Sequence, residues 1–237
     1  MFKEKFSSYF TNRGVEDISY NNYKLPVYIK AVLPKSKDSK ILDLGCGFGQ
    51  SLNALKNEGY SNITGIDVST EAIKSCLDRK LPVMIIESIE HYKPTHKFDF
   101  IIMSHVLEHI KKDKIIETLN YIKENILSKN GSLFVAVPNA QSSVGCYWAY
   151  EDFTHQTMFT GGSLSYVTKS AGFQEITFLD IDCMSERAWY KKLVVKLLQK
   201  IYIINLNFWH RMMSAYYHGP SPVIFSWEIK ALVKNNI

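Results

Sequence analysis

The stretch Lys40-Ile41-Leu42-Asp43-Leu44-Gly45-Cys46-Gly47-Phe48-Gly49-Gln50 constrains this chain more than any other. It reads as a short apolar strand that runs into a glycine loop. Glycine has no Cβ, so the backbone at Gly45, Gly47 and Gly49 can turn sharply and approach a ligand closely. A dinucleotide site sets a pyrophosphate against a helix N-terminus and uses the spacing G-x-G-x-x-G. Here position 50 is Gln, and Asp43 stands two residues before the first glycine. A carboxylate at that place repels phosphate and suits a cationic ligand.

A helix-compatible stretch, Ser51 to Gly59, follows the loop. Then Asn62-Ile63-Thr64-Gly65-Ile66-Asp67-Val68-Ser69 forms a second short strand that ends in an acid. Asp67 or Ser69 could cap the next helix. The glycine loop upstream favours a different role, a carboxylate that accepts ribose hydroxyls. Together these two segments resemble motif I and the acidic second strand of the class I S-adenosylmethionine-dependent methyltransferases. The resemblance implies S-adenosylmethionine as cofactor and S-adenosylhomocysteine as product. It implies donor contacts at Asp43, Gly45, Cys46, Gly47, Gly49, Gln50, Asp67 and Val68. Ser88 and Ile89 follow the third strand, where the family contacts adenine; Ser88 stands in place of the usual Asp. Ser104 and His105 follow the fourth strand, facing the methionine portion and the acceptor. Glu108 and His109 open the next helical segment and read as structural.

The rest of the chain fits an α/β fold. Strands are expected at 40–44, 62–66, 83–87, 98–103 and 132–137, and helices near 22–33, 50–58, 70–79, 112–127 and 162–171. Such alternation argues a Rossmann-like, mostly parallel sheet with helices on both faces. A sixth strand spans Glu175 to Ile181. A last one is expected at 223–231, antiparallel by family resemblance, giving seven. About forty residues separate these two, far more than a hairpin needs. The expected organisation is one domain: an N-terminal helical segment 1–37, a core 38–182 and 222–237, and an inserted helical cap 183–221.

Charge is placed unevenly. From Glu186 onward the chain has eight Lys/Arg and two Asp/Glu, a balance of +6, while residues 1–185 carry twenty against twenty-one, or −1. The cap is therefore basic and suits a phosphorylated or nucleotide-linked small-molecule acceptor. Its Trp189, Leu193, Val194, Leu197, Leu198 and Ile201 recur at helical spacing, expected to pack on their own domain rather than on a membrane surface. The cap is expected to help form the acceptor pocket, with Arg187, Arg211, Tyr216, Tyr217 and His218 at the substrate. No leader segment is read at the N-terminus and no membrane-spanning stretch. Four scattered cysteines lack metal or redox spacing, which suits a reducing cytoplasm.

After strand five comes Tyr147-Trp148-Ala149-Tyr150-Glu151-Asp152-Phe153-Thr154-His155, then Phe159-Thr160, Ser163-Leu164 and Ala171-Gly172-Phe173. This pattern resembles a methyltransferase branch many of whose members are associated with bacterial surface glycans. It implies an O-methyltransferase of surface polysaccharide (capsule) biosynthesis, acting on a sugar hydroxyl or on the phosphoryl or phosphoramidate group of a glycan precursor. A sugar hydroxyl loses a proton on methylation, and a histidine can take it. His155 is the expected base, with His105 and Asp152 supporting and Tyr150 and Thr154 at the substrate. Asp152 and His155 lack a further carboxylate, so no metal is expected. The rivals are a methyltransferase of a small metabolite or lipid and a regulatory module that only binds the donor. An Asn/Asp-Pro-Pro-aromatic motif is absent after strand four, so no nucleic acid is expected.

Overall fold

A computed structural model describes residues 8–16, 22–214 and 222–235. Seven strands form one sheet: β1 (Ile41–Leu44), β2 (Ile63–Asp67), β3 (Val83–Ile85), β4 (Phe98–Ser104), β5 (Leu127–Pro138), β6 (Glu175–Leu179) and β7 (Glu228–Lys234). Their spatial order is β3-β2-β1-β4-β5-β7-β6. The first five pair in parallel, and β7 lies antiparallel between β5 and β6. β1 is buried along its whole length, as a central parallel strand covered on both faces must be.

The helices are α1 (Tyr9–Asn12), α2 (Val27–Lys30), α3 (Gln50–Asn57), α4 (Thr70–Asp78), α5 (Ile115–Tyr121), α6 (Gly145–Glu151), α7 (Gly161–Ser170) and α8 (Trp189–Met212). α5 runs on into a π turn, Ile122–Ile126. One apolar cluster, built around Leu42, Ile101, Leu133 and Leu119, fills one face of the sheet. The other face holds Ile41, Leu52, Phe100 and Phe134.

Two expectations are corrected. The helix at 22–33 shrinks to one turn, because Pro26 has no N–H and disfavours helical backbone at the residue before it. The last strand begins at Glu228 rather than at 223. Asn139 explains the shift. Its Nδ2 donates to Ile224 O at 3.0 Å and to Ser226 O at 2.9 Å, and its N–H donates to Trp227 O at 2.8 Å. Carbonyls that a strand would present to a neighbour are thereby taken by one side chain.

Candidate active site

The carboxyl ends of the parallel strands open into a cavity of about 910 Å³. That is at the upper end for small-molecule pockets. One end is built by the glycine loop. Gly45, Gly47 and Gly49 all have positive φ, at 81°, 48° and 73°. A Cβ on Gly45 would lie 2.2 Å from Val106 Cγ2, and one on Gly49 2.6 Å from Leu81 Cδ1. Only glycine keeps this loop against its neighbours.

Two acids flank the loop. Asp67 Oδ2 accepts from Gly47 N and Oδ1 from Ser69 N, both at 2.8 Å. Burial raises its carboxyl above the ordinary range, against the pull of these backbone donors. Asp43 is buried and its Oδ2 has no hydrogen-bond partner among the described residues. Burial, and secondly the charge of Asp67, push the Asp43 carboxyl up to about 7. Among the described residues Gln50 Oε1 is likewise buried and unpartnered. The cavity thus offers unsatisfied acceptors beside a backbone cradle, which fits a ligand carrying an ammonium and a sulfonium. Cys46, Val68, Ser88, Ile89 and Ser104 line the same cavity.

The other end is assembled from distant segments. His105 has φ 56°, a backbone conformation rare for a residue with a side chain. It sets the ring between two carboxylates: Nδ1 lies 3.1 Å from Glu108 Oε1 and Nε2 3.0 Å from Glu228 Oε2. Burial opposes the charged form, but the two acids outweigh it and push His105 up to about 10. The ring also stacks on Trp227. An imidazolium held by both nitrogens cannot accept a proton, so His105 is corrected from a supporting base to a fixed cation.

His155 is different. Its Nδ1 lies 2.7 Å from Trp148 O, which accepts the Nδ1 proton and leaves Nε2 as the acceptor nitrogen. Nε2 stays 3.8 Å from Asp152 Oδ2 and 3.9 Å from Glu108 Oε1. Asp152 therefore does not orient the ring. Its carboxylate accepts instead from Thr154 N at 2.9 Å, from Thr154 Oγ1 at 2.6 Å and from the Tyr9 hydroxyl, and it pairs with Arg13 at 2.9 Å. Burial works against its charge, yet these donors hold it down to about 2. Asp152 is a latch between α1 and the loop after α6.

The segment expected to read substrate is largely structural. Thr160 and Ser163 form a capping box at the start of α7. Phe159 and Phe173 are buried in the core. Thr154 Oγ1 is occupied by Asp152 and by His109 Nδ1 at 2.8 Å, and it does not line the cavity among the described residues. Tyr150 is 81% exposed and Arg187 and Arg211 are also outside the lining. Arg187 Nε donates to Cys183 O instead. Tyr216, Tyr217 and His218 fall outside the described residues. Besides His105, Arg13, Lys111 and Lys114 are cations that line the cavity.

Sequence reasoning missed Trp148, Trp227, Glu228, Tyr9 and Arg13, all in the lining. It also left Glu108 and His109 as structural. Glu108, His109 and His155 offer ligand atoms within 4.8 Å of one another, a compact metal-capable set. Glu108 is fully buried and its Oε2 is unpartnered among the described residues. The Glu-His step in Leu107-Glu108-His109 was the available signal.

A parallel sheet with an antiparallel seventh strand, opening onto an acid-flanked glycine cradle, defines an S-adenosylmethionine-dependent methyltransferase. The chain belongs to the family described as Methyltransferase domain (Methyltransf_23), whose model matches residues 18–177. Among curated relatives, a tRNA U34 carboxymethyltransferase of Shewanella amazonensis is 36% identical over 76 residues, 29% of this chain and 23% of that protein. An uncharacterized Rickettsia prowazekii protein is 32% identical over 117 residues, 44% of each chain. The chain matches less than half the length of either. A solved structure of an Archaeoglobus fulgidus SAM-dependent methyltransferase is 21% identical, with TM-score 0.62 over 98% of this chain and 97% of the other. A Haemonchus contortus phosphoethanolamine N-methyltransferase 2 bound to S-adenosyl-L-methionine is 15% identical, with TM-score 0.61 over 98% and 60%.

Proposed function

We propose that this methyltransferase acts on an oxygen of a sugar or nucleotide-activated glycan precursor. The observation that carries the reading is His155: a buried imidazole lining the cavity, with its tautomer set by Trp148 O and its Nε2 open. S-adenosylmethionine, when bound, supplies an electrophilic methyl group on a sulfonium. Asp43 would hold its ammonium end, Asp67 the ribose, and Ser88 and Ile89 the adenine. His155 Nε2 takes the proton of the acceptor hydroxyl, and the carboxylates of Asp152 and Glu108 stabilise the imidazolium that results. Trp148 and Trp227, packed with ring centroids 4.7 Å apart, form an apolar part of the cavity wall beside which a sugar ring would lie. A phosphoryl group on the acceptor would meet Lys111 and Arg13 rather than the cap. Alignment of acceptor and methyl group in a shielded cavity contributes many kcal/mol to such a displacement.

Donor-consumption screening against nucleotide-sugars, phosphorylated sugars and small metabolites tests this. Turnover with a sugar compound supports it; turnover confined to non-sugar metabolites or lipids overturns it. A second reading is favoured by Glu108, His109 and His155. His109 Nδ1 faces Thr154 Oγ1, whose proton goes to Asp152, and the His109 ring contributes one ligand atom to the compact set. Burial lowers the His109 pKa and keeps the ring neutral. Two such nitrogens and a carboxylate suit a divalent cation that would bind the acceptor oxygen. Metal titration of the protein without donor, followed by calorimetry, separates the readings: tight binding lost in His109→Ala favours the cation.

A further inference from the structure

Helix α8 turns its broadest apolar face away from the protein. At about 100° per residue, Lys192, Val195, Gln199, Ile203, Leu206 and His210 share one side, and they are its half-buried residues. That side faces the body of the protein. Gln199 Nε2 donates to Asp182 O at 2.8 Å, and the neighbouring Tyr202 ring meets Phe225. The opposite side carries Leu193, Val194, Leu197, Ile201, Ile204 and Phe208, all exposed; Leu193, Leu197 and Ile204 reach 65%, 60% and 69%. A helix that stabilises its own domain buries its apolar stripe and shows water its polar one. The expectation that this stripe packs on its own domain is therefore corrected, since none of the 24 residues is buried.

Charge identifies what the face fits. α8 carries Lys191, Lys192, Lys196, Lys200 and Arg211 and no acid. Lys196, Lys200 and Arg211 lie along one border of the apolar sector and Lys191 along the other. Tryptophans stand near both ends, at 189 and 209, a residue that favours the boundary between lipid and water. The apolar sector spans about half the circumference, wider than the seam of a two-helix coil. A two-fold pairing with a second copy would also bring lysine borders together. No helix among the described residues is long and apolar enough to cross a membrane, which leaves a helix about 36 Å long that lies in the surface plane.

We propose that α8 seats this methyltransferase on an anionic phospholipid bilayer, with its outward apolar face in the acyl boundary and its lysines among the headgroups. The helix leaves from the carboxyl end of β6, and the chain returns at Trp227 and Glu228, which line the cavity. The seat therefore lies on the cavity side of the sheet.

Flotation of the full chain with phosphatidylcholine vesicles, alone or mixed with phosphatidylglycerol, tests this without using catalysis. The native chain should float about tenfold better with the anionic vesicles, and salt should release it. The double variant Leu197→Glu/Ile204→Glu should stay at the bottom of the gradient. Both positions are exposed, so its melting temperature and donor affinity should match the native chain. The proposal is overturned if the native chain ignores vesicles at low salt, if zwitterionic vesicles carry it equally well, or if the double variant floats as the native chain does. It is also overturned if the native chain is a dimer without lipid and the double variant a monomer, because a second copy then covers the face.

Discussion

The two ends of the cavity are built differently. The donor end is backbone and contiguous motif: three glycines with positive φ, two acids, and amide groups that meet Asp67. The acceptor end is side chains gathered from Tyr9 to Glu228, held in fixed poses by one another. Their acids also differ in sign. Asp43 is buried with its Oδ2 unpartnered among the described residues and is pushed up, whereas Asp152 is buried among donors and is held down. A site can thus leave a carboxylate unsatisfied where a cation must arrive and saturate another where geometry must persist.

The largest expected effect is on chemistry at the acceptor end. His155→Ala should lower turnover by about 10²- to 10⁴-fold while donor affinity by calorimetry stays within about twofold. Equal loss of donor binding would merge the two ends. Next, Asp67→Ala should weaken donor binding by about a hundredfold, because two hydroxyls and two backbone donors lose their acceptor. Unchanged affinity would remove the ribose assignment.

The pH dependence of stability separates the acids themselves. Asp43 is raised in the folded state, so its contribution is full below its ordinary value of 3.8 and is lost as pH rises through about 7. Melting of the ligand-free protein should therefore lose up to about 4 kcal/mol from this group across that window, and Asp43→Asn should remove that slope. Asp152 is lowered, so its contribution is present above 3.8 and is lost as pH falls toward about 2. Asp152→Asn should remove stability near neutrality and leave little difference in acid. The smallest expected effect is Tyr9→Phe, which removes one donor to Asp152 and should cost about 1 kcal/mol, read as a shift in melting temperature.

The donor end was legible because its chemistry is local. Gly45, Gly47, Gly49, Asp43 and Asp67 sit in two short segments whose spacing already implies a strand, a turn and a ligand. The acceptor end was not. Glu228 and Trp227 face the cavity because Asn139 pins the returning chain, and nothing near residue 228 announces a partner at 139. Within the Asp-Phe-Thr-His segment Asp152 and His155 line the cavity, while much of its polar character serves the fold, for the reverse reason. Asp152 and Thr154 are polar and clustered, as binding residues are, but their hydrogen bonds turn inward to α1 and to His109. The stripe on α8 had the period of a core helix, and period alone does not say which side meets the protein.

Asn139 has a consequence for how this scaffold is divided. The excursion from Asp180 to Trp227 is anchored at both ends: Asp180 pairs with Lys230 of β7 at 3.0 Å, and Asn139 grips the returning chain at Ile224, Ser226 and Trp227. Glu228 and Trp227 are thereby held by contacts that lie outside α8. The fold carries a socket, and on the proposed seating of α8 the part that would set where the enzyme works is held apart from the part that binds the donor.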